Sequence, residues 1–274
     1  MTDRGEGDGV ERNESEQDGP GRSGSNDDGK EPVTEAWPRS SVLVEVELPE
    51  PVELAPRLVE VIGSLRVVLL GSYLVPEQTA PEQARDQLEE ECAQVLDALV
   101  AELEEAGADV DAHMVFTPDL LDTAARVARE EDCDAILLAR PLPRLERILV
   151  PLRGAHHLRP MASFLGSLLV ESDAQVTFLH VQEEDEEEGF GTWVLGEAKD
   201  LLGEAGIDPE RIETRIVPED EGEAVEAVLR EARDHDLLVL GESEPEVPDL
   251  LFGTFSERVA EDAEIPVFVM RRRE

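Results

Sequence analysis

From about residue 42 to residue 270, short β-branched runs alternate with longer stretches whose apolar residues recur every three or four positions. The short runs predict strands, and the longer stretches predict amphipathic helices. In the first half the pattern predicts a strand over 42–46, a helix over about 52–64 and a strand from 66 to 70 or slightly beyond. A long helix follows over about 81–106, with Leu88, Cys92, Val95, Leu96, Leu99 and Leu103 on one stripe. A strand over 111–116, a helix over 120–130 and a strand over 135–138 complete that half. The second half predicts strands over 148–152, 175–181, 212–217, 237–241 and 266–270. Helices over 158–171, 192–205, 221–234 and 254–263 lie between them. Strands separated by helices in this order imply a parallel sheet with right-handed crossovers.

The halves read as copies of one another. Glu105-Ala106-Gly107-Ala108-Asp109 matches Glu204-Ala205-Gly206-Ile207-Asp208, and Asp134-Ala135-Ile136-Leu137-Leu138 matches Asp236-Leu237-Leu238-Val239-Leu240. A repeat near a hundred residues implies two similar domains rather than a solenoid. The first copy is shorter: Arg140-Pro141-Leu142-Pro143 leads straight into the next opening strand, so the last helix and strand are missing. The expected organisation is an acidic tail over 1–38, a first domain over 39–146 and a second over 147–274. Residues 1–38 hold almost no apolar side chains, and such a segment is expected to stay disordered.

Charge changes the picture in one respect. The 66 acidic residues against 24 basic ones give a formal charge of −42, and lysine occurs only at Lys30 and Lys199. Such a surface fits a salt-rich cytoplasm, where screening offsets self-repulsion. It also excludes nucleic acid as a partner, because no basic stripe is present to neutralise phosphates. Two cysteines far apart, Cys92 and Cys133, make neither a disulfide framework nor a zinc site. Without a signal peptide or a membrane-length apolar run, the chain is expected in the cytoplasm.

The candidate chemistry lies in the second half. Ile148 to Gly154 forms a strand running into a turn. Later, Leu237 to Gly241 precedes Gly253-Thr254-Phe255-Ser256-Glu257-Arg258-Val259 and a last strand ending at Met270. A glycine at a strand end followed by Gly-Thr opening a helix presents backbone N–H groups to an anion. Together these stretches resemble the universal stress protein (UspA-like) family in tandem form. The resemblance implies an α/β fold of two adenine-nucleotide-alpha-hydrolase-like, three-layer α/β/α domains with parallel sheets, the first truncated. It also implies frequent dimerisation through the last strand, occasional coupling to membrane transporters, and ATP binding in some members. The positions carried over as a nucleotide or anion site are Pro151, Arg153, Val181, Gly241, Gly253, Thr254 and Ser256.

Two departures speak against ATP as a cofactor. Arg153 stands where nucleotide-binding members carry aspartate, and Glu244 replaces the second glycine of the phosphate loop. A carboxylate facing phosphate is repulsive, and a side chain there restricts the backbone. Gly253, Thr254 and Ser256 then serve as helix cap and packing residues. His156 and His157 are sequence neighbours and point apart, while His180 reads as a packed residue at the core edge. The run Glu183–Glu188 reads as a solvated loop. No metal site and no catalytic constellation is expected. The chain reads as a regulatory or partner-binding protein without catalytic activity, the alternative being an ATP or AMP sensor. Two Ile265–Met270 strands are expected side by side in a homodimer, unless the strand near Ile136 closes that edge within one chain.

Overall fold

The computed structural model describes residues 39–76, 81–170, 172–183, 185–219, 224–241 and 254–271. The expected acidic tail and Glu244 lie outside them. In the first half, β1 (Ser41–Glu47), α1 (Pro56–Ile62), β2 (Arg66–Leu74), α2 (Pro81–Glu105), β3 (Asp109–Thr117), α3 (Leu120–Glu130) and β4 (Ala135–Leu138) follow in order. The second half continues with β5 (Arg147–Pro151), α4 (Leu158–Leu168), β6 (Gln175–Gln182), α5 (Phe190–Glu204) and a 3-10 turn at Pro209–Arg211. It ends with β7 (Ile212–Pro218), α6 (Ala224–Ala232), β8 (Leu237–Gly241), α7 (Thr254–Asp262) and β9 (Val267–Met270). Each expected strand and helix is present. The first half stops after β4, as its sequence implies.

Local chemistry sets the boundaries. Helix α1 starts four residues later than its apolar pattern, because Pro56 holds Ala55 extended at φ −59° and ψ 135°. Pro56 itself fits the first turn, where its missing N–H has no helical partner to lose. Asp119 caps α3, its side chain accepting from the Asp122 N–H at 3.0 Å. The two repeated glycines end α2 and α5 with φ +99° at Gly107 and φ +96° at Gly206, a conformation that glycine adopts without strain.

The strands form one sheet in the order β3-β2-β1-β4-β9-β8-β5-β6-β7. All neighbours run parallel except β4 and β9, which are antiparallel, with Ala135 opposite Met270 and Ile136 opposite Val269. Strand β9 also pairs in parallel with β8, Val267 lying opposite Leu238. One strand therefore completes both halves. This corrects the expected dimer through two Ile265–Met270 strands, since the edge it required is taken by β4 of the same chain. The physical reason is the truncation: β4 ends the first half with an unpaired edge, and β9 is within reach to satisfy it.

Alternating side chains divide the core between the two faces. Val42, Val44, Val67, Leu69, Val239 and Phe268 pack on one face under α1, α2, α4 and α5. Leu43, Val68, Leu70, Leu238, Leu240, Val267 and Val269 pack on the other under α3, α6 and α7. Each face carries residues of both halves, and Trp37–Glu274 is one compact unit. The boundary between 146 and 147 is thus a repeat boundary inside a shared core.

The same device starts both halves. Asp134 at the head of β4 accepts from the Ser41 N–H at 2.8 Å and the Ser41 hydroxyl at 3.2 Å. Asp236 at the head of β8 accepts from the Glu146 and Arg147 N–H groups at 2.9 and 3.0 Å, and from Arg144 Nε at 2.9 Å. Burial raises the Asp236 pKa, but the Arg144 hydrogen bond and the two backbone donors outweigh it, and the net value is lowered.

Phe268 is fully buried and meets Phe164 edge to face at 5.2 Å between ring centroids. Phe268→Ala is expected to cost about 3–5 kcal/mol. Urea unfolding in concentrated KCl should show one transition for both halves, shifted as a whole. Two separable transitions, only one of them displaced, would contradict a shared core. Because the folded Asp236 pKa is depressed, its stabilisation is present above the ordinary aspartate range and is lost as pH falls through the lower folded value. Asp236→Asn should therefore destabilise at neutral pH and approach wild type in strong acid. A stability gap that does not change with pH removes the role given to its charge.

Candidate functional site

Strand order places the candidate site. From β5 the chain winds outward through β6 and β7, then returns to β8 on the other side of β5. Crossovers leave β5 and β8 in opposite directions, which opens a crevice at their C-terminal ends. Leu149 lies opposite Leu238, so the turn after β5 and the end of β8 are level there. Pro151 pairs with Leu179, and Arg153 lies two residues beyond in the turn that leaves β5.

Of the expected residues, Pro151 is buried in β5 and Val181 is half-buried at the end of β6. Gly241 closes β8, and a Cβ there would lie 3.4 Å from Met161 Cε, an ordinary contact. Ser256 in the first turn of α7 is fully buried, and its hydroxyl donates to the Gly241 carbonyl at 3.0 Å. That bond ties the start of α7 to the end of β8. Gly253 lies outside the described residues, and Thr254 is the first residue of α7. The structure thus brings Gly241 to Ser256, with Pro151 and Val181 in the neighbouring strands β5 and β6.

Arg153 does not face an empty space. Its Nη2 lies 3.3 Å from Glu183 Oε1, and its guanidinium sits 5.4 Å from the centroid of the Phe255 ring. Both members of the ion pair are more than half exposed, so the pair contributes little stability, about 0–1 kcal/mol. Its effect is on the site: the cation is already balanced and stacked. An incoming phosphate would have to displace a carboxylate to reach it.

The run Glu183–Glu188, expected to be solvated, has two anchored members. Besides Glu183, Glu186 places both carboxylate oxygens 2.9 Å from His180 Nε2. His180 is 1 % exposed, and its Nδ1 donates to the Leu152 carbonyl at 2.8 Å. Both ring nitrogens of His180 are therefore engaged, one with a carbonyl and one with a carboxylate. The pair clamps the acidic loop to the end of β5. Gly191 in the first turn of α5 lies directly against this ring, where any Cβ would collide with His180. The sequence holds a signal for these links: an arginine and a strand histidine at the ends of neighbouring strands both need acceptors. The nearest acidic run supplies them.

His156 and His157 are both exposed, His157 at a left-handed φ of 66° as the cap of α4. In the first half, the strand-end glycine is replaced by the half-buried Ala139. Nearby Glu45 is pushed up from the usual carboxylate range by burial, against the lowering effect of its bond from Ser72. Cys133 is buried, and its thiol is pushed up to about 12 chiefly by desolvation, which leaves it protonated and unreactive. Among the described residues no cluster of three or more His, Cys, Asp or Glu side chains could hold a metal ion. No described helix is long and apolar enough to cross a membrane.

Comparison with known proteins gives this geometry a family. The model of the Universal stress protein family matches residues 144–271. No curated protein matches the chain. Among solved structures, the chain is similar to a universal stress protein from Archaeoglobus fulgidus DSM 4304, with a TM-score of 0.58 and 16% identity. That match covers 85% of this chain and 97% of that one. It is also similar to a protein from Pseudomonas aeruginosa UCBPP-PA14 named as a universal stress protein, with a TM-score of 0.53 and 18% identity over 85% of this chain and 94% of that one. At such identities the structural likeness establishes the fold. Residues 144–271 thus match the universal stress protein family, and the chain shares the α/β fold of these solved structures over 85% of its length.

Proposed function

We propose that the chain is a regulatory, partner-binding universal stress protein of a salt-adapted cytoplasm, without catalytic activity and without strong ATP binding. The observation that carries this reading is the state of the crevice. Arg153 is balanced by Glu183 and stacked on Phe255, and the Ser256 hydroxyl is spent on the Gly241 carbonyl. The groups that would recognise a phosphate are thereby engaged with the protein itself. The Glu244 carboxylate in the connecting segment adds a charge of the wrong sign. A catalytic role would need a positioned nucleophile, base or metal, and among the described residues the crevice offers a clamped histidine and a paired arginine. A nucleotide sensor is the second reading, favoured by the crevice lying at the strand-order switch point where α/β sheets take ligands.

Partners in this reading are proteins, with a membrane transporter as one candidate class and nucleic acid excluded by charge. They must use surfaces other than the edge of β9, which β4 occupies.

Calorimetric titration with ATP and AMP in concentrated KCl should show binding no tighter than about 1 mM, or about −4 kcal/mol. Micromolar affinity that disappears in Gly253→Asp reverses the choice in favour of the sensor.

The charge of −42 leads to a second test. At about 1 M salt the Debye length falls to about 3 Å, and the self-repulsion of the acidic surface is largely screened. Circular dichroism should show loss of helix and strand signal as KCl is withdrawn, recoverable on its return. Equal melting temperatures in dilute and concentrated KCl would rule out salt adaptation.

A further inference from the structure

Three features meet at the outer corner of the second half. Strand β7 ends the sheet, and no strand among the described residues covers its outer edge. Ile216 in β7 is 42 % exposed and lies opposite His180 in the β6 register. The His180 ring is 5.9 Å from Phe190, and Phe190 is 6.0 Å from Trp193, which is 55 % exposed on α5. Ile216, Phe190 and Trp193 thus mark one apolar corner, in a chain with 2 tryptophans and 4% aromatic residues. Single exposed apolar residues are ordinary, whereas a grouped aromatic patch at a sheet edge indicates a docking surface.

The charge around this corner has one sign. Glu183, Asp185, Glu187 and Glu188 are exposed in the preceding loop, and Glu197 is exposed one turn beyond Trp193. The neighbouring cations are engaged: Arg153 with Glu183, Arg215 with Glu231, and Lys199 with the Ile212 carbonyl. An acidic rim around aromatic rings favours arginine or lysine, which pair with the carboxylates and stack on the rings. A second copy of this chain brings more negative charge, and so do its acidic first 36 residues.

We propose that the β7 edge binds an extended basic segment of another protein, added as a strand, with apolar side chains against Trp193 and Ile216. Strand addition uses the edge backbone for affinity, and the two-residue period sends alternate side chains to the apolar corner and the acidic rim. The surface defines the partner of the function proposed above and rests on that reading.

The test uses the full chain in about 1 M KCl, where diffuse attraction to an acidic protein is screened. The probe is a fluorescein-labelled peptide of about ten residues alternating arginine and isoleucine, followed by anisotropy. Wild type should bind it, and Trp193→Ala should weaken binding about tenfold or more, as loss of an interface hot spot does. Val170→Ala, at a side chain 72 % exposed elsewhere, should bind as wild type does. An arginine–glycine peptide of equal charge, and one with proline in the centre, should both bind poorly. Circular dichroism confirms that each variant is folded. The proposal is overturned if wild type does not bind, if Trp193→Ala binds equally well, or if the glycine or proline peptide matches the original. Micromolar ATP binding would remove the underlying reading, whereas a failed peptide titration without ATP binding removes this surface alone.

Discussion

The antiparallel pairing of β4 with β9 is the constraint on which the rest of the molecule depends. Parallel α/β sheets grow by crossovers, and a copy that stops after four strands is left with one edge unpaired. Unpaired backbone at an apolar edge is costly, and pairing with another strand satisfies it. Here the partner is the last strand of the second copy, with Leu137 opposite Phe268 and Leu138 opposite Val267. Because β9 already belongs to β8, each face of the sheet becomes one core across the repeat boundary. Stability, the position of the C-terminus and the surfaces left for partners all follow from that sharing. Arg271 extends it by donating from its backbone to the Asp134 carbonyl at 2.7 Å, next to the aspartate that starts the first half.

Much of this organisation is legible in sequence because it is local. The repeated Glu-Ala-Gly stretches mark two helix ends with the same left-handed glycine, and the repeated Asp-plus-apolar runs mark two strands whose aspartates cap the opening strands. Helical period and two-residue alternation locate the elements, and Pro56 moves one helix start by four residues. The missing end of the first copy is also visible. What fills the gap is not, because Ile136 and Val269 are 133 positions apart and no periodicity links them. Both closures are compatible with the same apolar strand, and the distance between partners, absent from sequence, chooses between them.

The site is legible in its address and obscure in its chemistry. Strand-end glycine, helix start and the turn after β5 are expected together, and the Ser256 hydroxyl is bonded to the Gly241 carbonyl while Arg153 stacks on Phe255. The acidic run misleads, because six consecutive positions of one sign look solvated whatever two of them do. Glu183 and Glu186 are recruited by an arginine and a histidine that the fold brings to the neighbouring strand ends. His180 is fixed by the Leu152 carbonyl below it and Gly191 beside it, so the only remaining acceptor position faces the loop. The loop is thereby held at two points.

That clamp connects the crevice with the β7 edge. The same loop that balances Arg153 in the crevice also holds His180 under Phe190, and Phe190 leads to Trp193 and the β7 edge. The crevice's cation is turned inward, against its own carboxylate. In a protein with so few cations, one of them paired internally means recognition must rest on what the surface still presents. It presents carboxylates in excess and a small aromatic corner. Attraction to carboxylates alone is weakened by salt, whereas ring contacts and edge hydrogen bonds are short-ranged and little affected by screening. In the proposed reading, specific recognition falls to the corner where aromatic rings and an uncovered strand edge coincide.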